Sequence, residues 1–403
     1  APHPGVAAAR RAAAMTEGAP AATLLGLGRR SDVATAALVN AIASHVQDFD
    51  DTHEGTLIHP SAPVLPAVLA LGEARGAAGA EVLTAFLLGV EVACRVGMAV
   101  SPAHYDAGWH ITGTAGAIGA AAGAARLLGL DAERAAWAIG IAAAMPVGLR
   151  VHFGAMAKSL HPGRAAQNGL LAAALAEQGF DAAPDALEGR RGFAEVLGHA
   201  WDEVRITADL GRRWEIELNT YKPFACGLVV HPTIDLCRGL RGEPGFDPAA
   251  IERVVLRVHP LVMDLTGKRE PRTGLEGKFS VFHAAAIGLL RGAAGEAEFT
   301  DECVNDPPIV ALRARVEAVV DPGLGRTETE VTVHLADGRT RVAHTAAPIG
   351  SLANPMSDAM LSEKFLANAG PVLGEARAAA LLAAAWRIEG QPGLGWLDPE
   401  GAA

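Results

Sequence analysis

The sequence of 403 residues has no surplus of basic side chains and no long run of them. It contains 34 Lys and Arg against 45 Asp and Glu, which gives a net charge of −11 at pH 7 with histidine neutral. Nucleic acids and anionic membrane surfaces are bound chiefly through clusters of Lys and Arg. The charge balance therefore predicts that neither a nucleic acid nor a membrane is a partner.

Cysteine pairs and long apolar runs are scarce as well. The four cysteines are far apart and form no CxxC motif, which is typical of reduced thiols in a cytoplasmic protein. Apolar stretches such as 64–72 and 82–90 are interrupted by Glu, Gly or Arg well before the roughly 18 residues that span a bilayer. We therefore expect a cytoplasmic location. The sequence begins at Ala1 rather than at Met, and we expect further residues upstream of it.

Aromatic residues make up only 5% of the chain, whereas Ala, Leu and Val supply most of its apolar half and glycine occurs 46 times. This composition favours helices that pack closely through small side chains. Apolar residues recur with helical spacing from Val33 to Ala176, in runs separated by Gly or Pro. Because a chain of this length exceeds the usual size of one core, we predict two domains and assign residues 1–224 to an all-helical one.

The pattern changes after about Pro223. Val-rich stretches with period-two alternation follow at three places: 252–260, 311–321 and 328–345. The dipeptide Asp337-Gly338 lies between two alternating runs and predicts a hairpin. Helical runs are interleaved with these strands, so residues 225–349 are assigned to an α+β domain. Residues 350–403 are helical in pattern and are expected to pack back onto the first domain, which gives a fold that is mainly α with an α+β second domain.

A cluster of ionisable residues follows the first strong helical run. Its members are His45, Asp48, Asp50, Asp51, His53, Glu54 and His59. A solvated acidic loop is the ordinary explanation of such a segment, but apolar runs flank it on both sides and place it against a core. Bringing so many ionisable groups together is costly unless they are used. No HExxH, HxH or calcium-loop spacing is present, so we predict that no metal is bound.

His110 immediately precedes the Gly-rich run GTAGAIG, so it is predicted at the N-terminus of a helix. Backbone N–H groups there favour a carboxylate ligand, and a neutral histidine at that place accepts a proton. A histidine that only satisfies a neighbouring carbonyl is the structural alternative. The glycines also suggest a dinucleotide-binding loop, but no strand precedes them, and close helix packing explains them better.

Lys158, His161 and Arg164 gather around a His-Pro-Gly sequence before an apolar helix. Cations at a helix N-terminus oppose the helix dipole, so their presence indicates an anionic ligand, with an exposed basic turn as the alternative. Four further basic residues, each an ordinary helix-start residue when taken alone, are Lys222, His231, Lys278 and His283.

Seven segments together carry a resemblance to a known family. They are FDDT (49–52), HPSAPVLPA (59–67), GWH (108–110), AKSLHPGRAAQNG (157–169), KPFACGLVVHP (222–232), GKFS (277–280) and GSLANPMSDAMLSEKF (350–365). In this order they make the chain similar to the MmgE/PrpD family, which includes 2-methylcitrate dehydratase, cis-aconitate decarboxylase and iminodisuccinate epimerase. The resemblance implies a large all-helical domain completed by C-terminal helices, a smaller α+β lid domain, no cofactor, and a homodimer with the active site in the cleft.

The resemblance also suggests roles for individual residues. The catalytic set that it implies is Asp48, Thr52, His59, His110 and Lys158. The residues expected to bind substrate are His161, Arg164, Lys222, His231, Lys278 and His283. We expect Asp48 to orient His59 and Thr52 to hydrogen-bond the substrate or a leaving hydroxyl. Asp50 and Asp51 are the alternative, structural acids of the loop.

The expected activity is cofactor-independent proton removal α to a carboxylate of a small di- or tricarboxylic acid, in a lyase that resembles 2-methylcitrate dehydratase. An iminodisuccinate-type epimerase is the first alternative, because YDAGWH (105–110) and GSLANPM (350–356) are similar to that branch. A non-catalytic polycarboxylate-binding homologue is the second. A metal-assisted hydrolase that uses His59, His110 and Asp48 is the third.

Three departures from family patterns bear on the reaction. Gly227 stands where cis-aconitate decarboxylases have a histidine, and Met263 replaces a tyrosine of their lid. We therefore expect dehydration rather than itaconate-forming decarboxylation. His283 stands where many dehydratases have a tyrosine.

Overall fold

The computed structural model describes residues 3–15 and 17–398, and its first half is a bundle of helices. These are α1 (Pro4–Ala13), α2 (Val33–His45), α3 (Ser61–Arg75), α4 (Gly79–Val100), α5 (Ala103–Asp106), α6 (Ile111–Leu127), α7 (Ala132–Ala143), α8 (Ala157–Glu177) and α9 (Glu203–Thr207). The short strands of this half are β1 (Ala22–Leu24), β2 (Arg29–Ser31) and β3 (Asp51–His53). Capping residues define several boundaries, as where the Asp131 side chain accepts a hydrogen bond from the N–H of Arg134 at the start of α7.

Helix α6 lies at the centre of the bundle, in contact with α3, α4, α7 and α8. Nearly all of its residues are buried, and most of them are Gly or Ala. A Cβ atom on Gly119 would lie 2.5 Å from the carbonyl oxygen of Gly89 and 2.6 Å from the Cβ of Ala93, both on α4. The small residues are therefore what allows α4 to cross α6 at so short a distance.

The second half is α+β. Its elements are β4 (Asn219–Tyr221), α10 (His231–Arg241), β5 (Ile251–Val258), α11 (Pro260–Thr266), α12 (Gly274–Gly277), α13 (Val281–Leu290), α14 (Asp301–Val304), α15 (Pro307–Arg313), β6 (Val316–Val320), β7 (Thr329–Leu335) and β8 (Thr340–Thr345). Four of these strands form a sheet in the order β6-β5-β7-β8, in which β5 and β6 are parallel and the other neighbouring pairs are antiparallel. Helices α10 and α13 pack together beside this sheet and complete a second hydrophobic core.

The hairpin predicted around Asp337-Gly338 is confirmed, because β7 and β8 pair across this turn and Gly338 has a φ of 82°. The stretch 311–321 was predicted to be one Val-rich strand, but the structure contains the end of a helix followed by a shorter strand. Its first residues belong to α15, which begins at Pro307 and buries Ile309 and Leu312 at helical spacing. Only β6 continues as strand, since the Val residues that favour it lie in the second part of the stretch.

Two last helices, α16 (Asp358–Leu373) and α17 (Glu375–Ala385), follow the sheet. The segment after α17 returns to the bundle, where the N–H of Gly79 donates to the carbonyl of Gln391 and Leu394 joins the first core. The predicted fold class, mainly α with an α+β second domain, is confirmed.

Within the described residues, α4 is the helix that is long and apolar enough to cross a membrane, and much of it is buried inside the protein. Its charged residues Glu91 and Arg95 pair with each other. The Arg95 guanidinium donates to the carbonyls of Ile206 and Ala208 at 2.9 Å, and Glu91 accepts from the N–H of Glu215. The apolar stretch 82–90 therefore continues past Glu91 within one helix, because these contacts satisfy the two buried charges.

We predict opposite effects for two Gly→Ala substitutions in helices. Gly119→Ala should destabilise the protein by about 1–3 kcal/mol, because the new methyl group overlaps α4. Gly239→Ala is the control, since Gly239 lies in α10 with no atom near the new Cβ, and it should add about 0.5–1 kcal/mol through helix propensity. Urea denaturation of both variants measures this, and equal effects would contradict the packing argument.

Candidate active site

A cleft with about 470 Å³ of empty space lies between the helical bundle and the α+β half. The bundle contributes Asp48, Thr52, Leu57, His59, Tyr105, His110, Phe153 and Lys158 to its lining. The second half contributes Lys222, Gly227, Leu228, Val229, Leu265, Thr266 and Phe279. The five residues predicted to be catalytic, together with Lys222, are therefore brought to one place. Apolar walls with a few convergent polar groups, as found here, are typical of small-molecule sites.

The loop between α2 and β3 is held in place by a strand pairing that the sequence did not reveal. Strand β3 pairs with β4, so that Thr52 lies opposite Thr220. The Asp51 carboxylate accepts from the hydroxyl of Ser61 at 2.6 Å and from the Asn219 amide. Burial and the charge of Asp50 raise the pKa of Asp51 to about 6. Asp51 is therefore a structural acid of the loop.

Asp48 pairs with two lysines from opposite sides of the cleft. Its carboxylate lies 2.9 Å from Nζ of Lys158 and 2.6 Å from Nζ of Lys222. Its backbone adopts the left-handed region, with a φ of 51°, which Asp tolerates better than most residues. Burial alone would raise the pKa of Asp48, but the two lysine charges outweigh burial and hold the pKa well below its usual range. The carboxylate therefore stays ionised.

The two lysines differ in their electrostatics. Burial lowers the pKa of Lys158, and the charge of Asp48 offsets this only in part. For Lys222 the charges of Asp48 and Asp50 outweigh burial and raise the pKa. Lys158 is also 5.2 Å from the ring centres of Phe153 and of Phe279, which form an apolar wall beside its ammonium group. Lys158 is therefore the lysine that can more easily exchange its partner Asp48 for the carboxylate of a bound ligand.

Three histidine rings cluster opposite the lysines. The centroid of His45 is 4.8 Å from that of His59 and 5.6 Å from that of His110. Nδ1 of His59 lies 2.7 Å from the carbonyl oxygen of Asp51, which only accepts hydrogen bonds, so this nitrogen carries the proton. Burial, reinforced by the charge of Lys222, lowers the pKa of His59 to about 3. His59 is therefore neutral, with Nε2 as the basic nitrogen.

His110 is the N-cap of α6, as predicted. Its Nδ1 is 2.9 Å from Nδ1 of His161, and its buried Nε2 has no hydrogen-bond partner within the described residues. Burial and then the charge of Lys158 hold the pKa of His110 well below its usual range. A neutral imidazole with a free ring nitrogen in a cleft is suited to accept a proton.

The expected contact between Asp48 and His59 is replaced by two others. The carboxylate of Asp50 lies 3.5 Å from Nδ1 of His59 and 2.6 Å from Nδ1 of His45. The Asp51 carbonyl makes the shorter contact to His59. Asp48 itself is engaged by the lysines, so the neighbouring acids orient the histidines.

Arg164 is the clearest departure among the predicted binding residues. The sequence His161-Pro162-Gly163, expected as a tight turn, lies inside α8, so Arg164 falls on the exposed side of that helix. Its guanidinium donates to the side chains of Gln167 and Asn168. The helical geometry therefore places Arg164 outside the cleft.

Three more predicted binding residues lie behind the cleft rather than in its lining. The Lys278 ammonium donates to the carbonyls of Gln47 and Ala225, at 2.8 and 2.6 Å. His231 contacts the carbonyl of Cys226, and Nε2 of His283 donates to the carbonyl of Glu298. These side chains are buried and bonded to backbone carbonyls, which is the ordinary role of a core cation or histidine, although Nδ1 of His231 and of His283 has no partner within the described residues.

Several residues of the site were not predicted. His45 was noticed in the acidic loop but given no role, although its place in the last turn of α2 was a usable signal. Tyr105 and Phe279 lie in the segments YDAGWH and GKFS but were given no role, and Phe153 had no signal, because an isolated aromatic residue carries no spacing pattern. Lys364 of α16 donates to the carbonyls of Phe49 and Lys222, so a third part of the chain supports the loop.

Nitrogen atoms of His45, His59 and His110 lie within 4.8 Å of one another, close enough to be offered to one metal ion. Neutral imidazoles are common metal ligands. The charge of Lys158 acts on all three rings and opposes a divalent cation there, whereas the Asp50 carboxylate favours one beside His45 and His59. The absence of a metal stays a prediction.

Comparison with known proteins agrees with the sequence motifs. The MmgE/PrpD N-terminal domain model matches residues 1–203, and the MmgE/PrpD C-terminal domain model matches residues 224–389. The chain belongs to the MmgE/PrpD family. The resemblance stated from the motifs is thereby confirmed.

MmgE/PrpD relatives with similar sequences include several named as cis-aconitate decarboxylase. The one from Homo sapiens is 30% identical over 355 residues, which cover 84% of this chain and 73% of the relative. The one from Aspergillus terreus is 26% identical over 389 residues, covering 89% of this chain and 79% of the relative. The similarity thus extends through both halves of the fold.

We predict that Asp48→Asn costs about 3–5 kcal/mol of unfolding free energy, because it leaves two buried lysines without their shared carboxylate. Glu317→Gln removes the partner of the exposed Arg253 and is the control, with little change expected. Chemical denaturation at pH 7 measures both. Equal stability of Asp48→Asn and the unsubstituted protein would contradict a shared buried ion pair.

We also predict acid sensitivity from the buried histidines. The unfolded chain protonates His59 near pH 6.5, whereas the folded protein does so only near pH 3. Between these values the unfolded state binds more protons, so this contribution is complete above pH 6.5 and is lost as the pH falls. Between pH 7 and pH 5.5, His59→Asn should therefore lose about 1 kcal/mol less of its unfolding free energy than the unsubstituted protein loses.

The measurement is chemical denaturation of both proteins at the two pH values. His199→Asn is the control, because His199 is exposed and its substitution removes no buried histidine. The same pH dependence in His59→Asn as in the unsubstituted protein would show that His59 is already charged when folded.

Proposed function

We propose that this protein is a cofactor-independent lyase that removes a proton α to a carboxylate of a small di- or tricarboxylic acid, in the manner of a 2-methylcitrate dehydratase. The observation that carries the proposal is the neutral His110, whose buried Nε2 has no partner and which lines the same cleft as Lys158. A base beside a cation is what α-proton removal requires, because the enolate-type anion that forms needs a positive neighbour.

The charge around the cleft supports an anionic substrate. Four lysines with buried ammonium groups surround the acidic loop: Lys158, Lys222, Lys278 and Lys364. The carboxylates with depressed pKa values in this region are those of Asp48 and Asp50. Asp51, with a pKa of about 6, is mostly ionised at pH 7 as well, so the four lysines exceed the three carboxylates of the loop by one, and the excess positive charge favours a substrate carboxylate beside it.

In the proposed reaction, Lys158 binds the carboxylate next to the acidic carbon, and Nε2 of His110 takes the α-proton. Charge on the resulting anion is stabilised by Lys158 and Lys222. Thr52 and the ring of His59 lie at the other side of the cleft, within 3.2 Å of each other, where a β-hydroxyl could be assisted in leaving. The phenyl rings of Phe153 and Phe279 limit access of water to this step.

Epimerisation is the second candidate, favoured by the presence of two neutral histidines in one cleft. The ring centroids of His59 and His110 are 6.2 Å apart. Two bases that face a substrate from different sides allow proton removal by one and return by the other. Decarboxylation is the reaction in the names of the relatives and is the third candidate. Gly227 argues against it, because this glycine lines the cleft where those relatives are expected to carry a histidine.

Deuterium exchange tests proton removal directly. Citrate, cis-aconitate and succinate derivatives are incubated with the protein in heavy water, and deuterium at the α-carbon and product formation are measured. We expect exchange with at least one acid, and we expect His110→Asn and Lys158→Met to lower it by about 10²–10⁴-fold. Arg164→Gln is the control with unchanged activity, since Arg164 faces solvent.

The outcomes separate the alternatives. Near-normal activity of His110→Asn would overturn its role as base, and tight binding without any exchange would identify a polycarboxylate-binding protein. A change of optical rotation without dehydration would identify an epimerase. Loss of activity on chelation, with metal found by elemental analysis, would favour the metal-assisted alternative. We also propose a homodimer, which sedimentation velocity tests.

A further inference from the structure

We propose that His161 is a proton relay, which moves a proton between Nδ1 of His110 and solvent while substrate covers the other face of the His110 ring. This inference rests on the proposed function, in which His110 is the base. The observation behind it is the direct contact of the two Nδ1 atoms at 2.9 Å. Two ring nitrogens at this distance share one proton, so one ring donates and the other accepts.

The position of the His161 ring is fixed by two close glycines. A Cβ on Gly148 would lie 2.8 Å from Cγ of His161, and a Cβ on Gly113 would lie 3.1 Å from its Cβ. Gly148 has a φ of 110°, and its carbonyl accepts the backbone N–H of His110 at 3.1 Å. The loop that covers His161 is thus anchored to the same residue that the ring contacts, which is a built arrangement rather than a chance approach.

The two histidines also differ in their distance from solvent. His110 is 1% exposed and His161 is 6% exposed, while the ring of His152, 5.7 Å beyond His161, is on the surface. No carboxylate within residues 3–15 and 17–398 forms an ion pair with His161. Burial, and then the charge of His152, lowers the pKa of His161 to about 4. A proton that reaches His161 is therefore passed on rather than held.

The proton balance of the relay closes at every step. Initially His110 carries a proton on Nδ1 and His161 carries one on Nε2. When Nε2 of His110 takes the α-proton, the C–H bond breaks and its electron pair stays on the substrate. The Nδ1 proton of His110 then moves to Nδ1 of His161, and the Nε2 proton of His161 leaves to water. Both rings end neutral, and the relay runs in reverse when Nε2–H of His110 protonates a leaving group: water returns a proton to Nε2 of His161, and the Nδ1 proton of His161 moves back to Nδ1 of His110.

His161→Asn separates a relay from a residue that only positions His110. An Asn side chain places an amide group near the former Nδ1 and keeps a hydrogen bond to His110, but it cannot pass a proton. With an acid that the unsubstituted protein turns over, we expect kcat to fall by about tenfold to a hundredfold with KM little changed. We also expect the dependence of kcat on the deuterium fraction of the solvent to become linear, whereas two moving protons make it curved.

Chemical rescue provides the matched control. His161→Ala leaves a cavity beside His110 in which free imidazole can replace the lost ring. Imidazole should restore kcat, and pyrrole, which has the same ring size without a basic nitrogen, should not. Equal rescue by both compounds would overturn the relay and leave a positioning role for His161. The same would follow if His161→Asn kept the kcat and the solvent isotope dependence of the unsubstituted protein.

A measurement without substrate keeps this inference separate from the proposed function. In protein labelled with ¹⁵N-histidine, the exchange of the His110 Nδ1 proton with water is measured by NMR. We expect it to slow by about tenfold or more in His161→Asn. An unchanged rate would overturn the relay. If the unsubstituted protein turns over none of the acids, the proposed function fails, and this exchange rate alone then decides the relay.

Discussion

The structure of the cleft depends on one buried carboxylate that is shared by two ammonium groups. Asp48 accepts from Lys158 of the bundle and from Lys222 of the segment that enters the α+β half. A carboxylate in this position costs a great deal to bury alone, and each lysine would be equally costly without it. Because the three charges stabilise one another only when both halves are in place, forming the cleft and joining the halves are the same event.

The backbone of the acidic loop provides the rest of the connection. Carbonyl oxygens of Gln47, Asp48 and Phe49 accept from Lys278, Lys222 and Lys364, and these lysines come from three separate parts of the chain. The left-handed conformation at Asp48 turns the loop so that its carbonyl groups face outward to them. Lysine ammonium groups with three donors each are well suited to hold a loop in this way.

Local features of the fold were accessible from the sequence, because caps, hairpin turns and small-residue helices are decided by neighbouring residues. His110 at a helix start and the hairpin at Asp337-Gly338 are of this kind. Arg164 was misassigned because its helix was taken to begin later. On α8, His161 lies three residues after Lys158 and shares its face, whereas Arg164, six residues after, points away. The pairing of Asp48 with Lys158 and Lys222 and the β3–β4 contact join distant segments, and no spacing in the sequence encodes them.

The position of His110 at the start of α6 affects how the substrate range of this fold can change. The residue caps the helix at the centre of the bundle, whose residues are nearly all buried, so most substitutions there would disturb the core. The facing wall is made of short loops and helix ends that include Gly227, Leu228 and Thr266. Substitutions on that wall can therefore change which small molecule fits the cleft without disturbing the position of His110. Such a division favours divergence of specificity within a conserved chemistry.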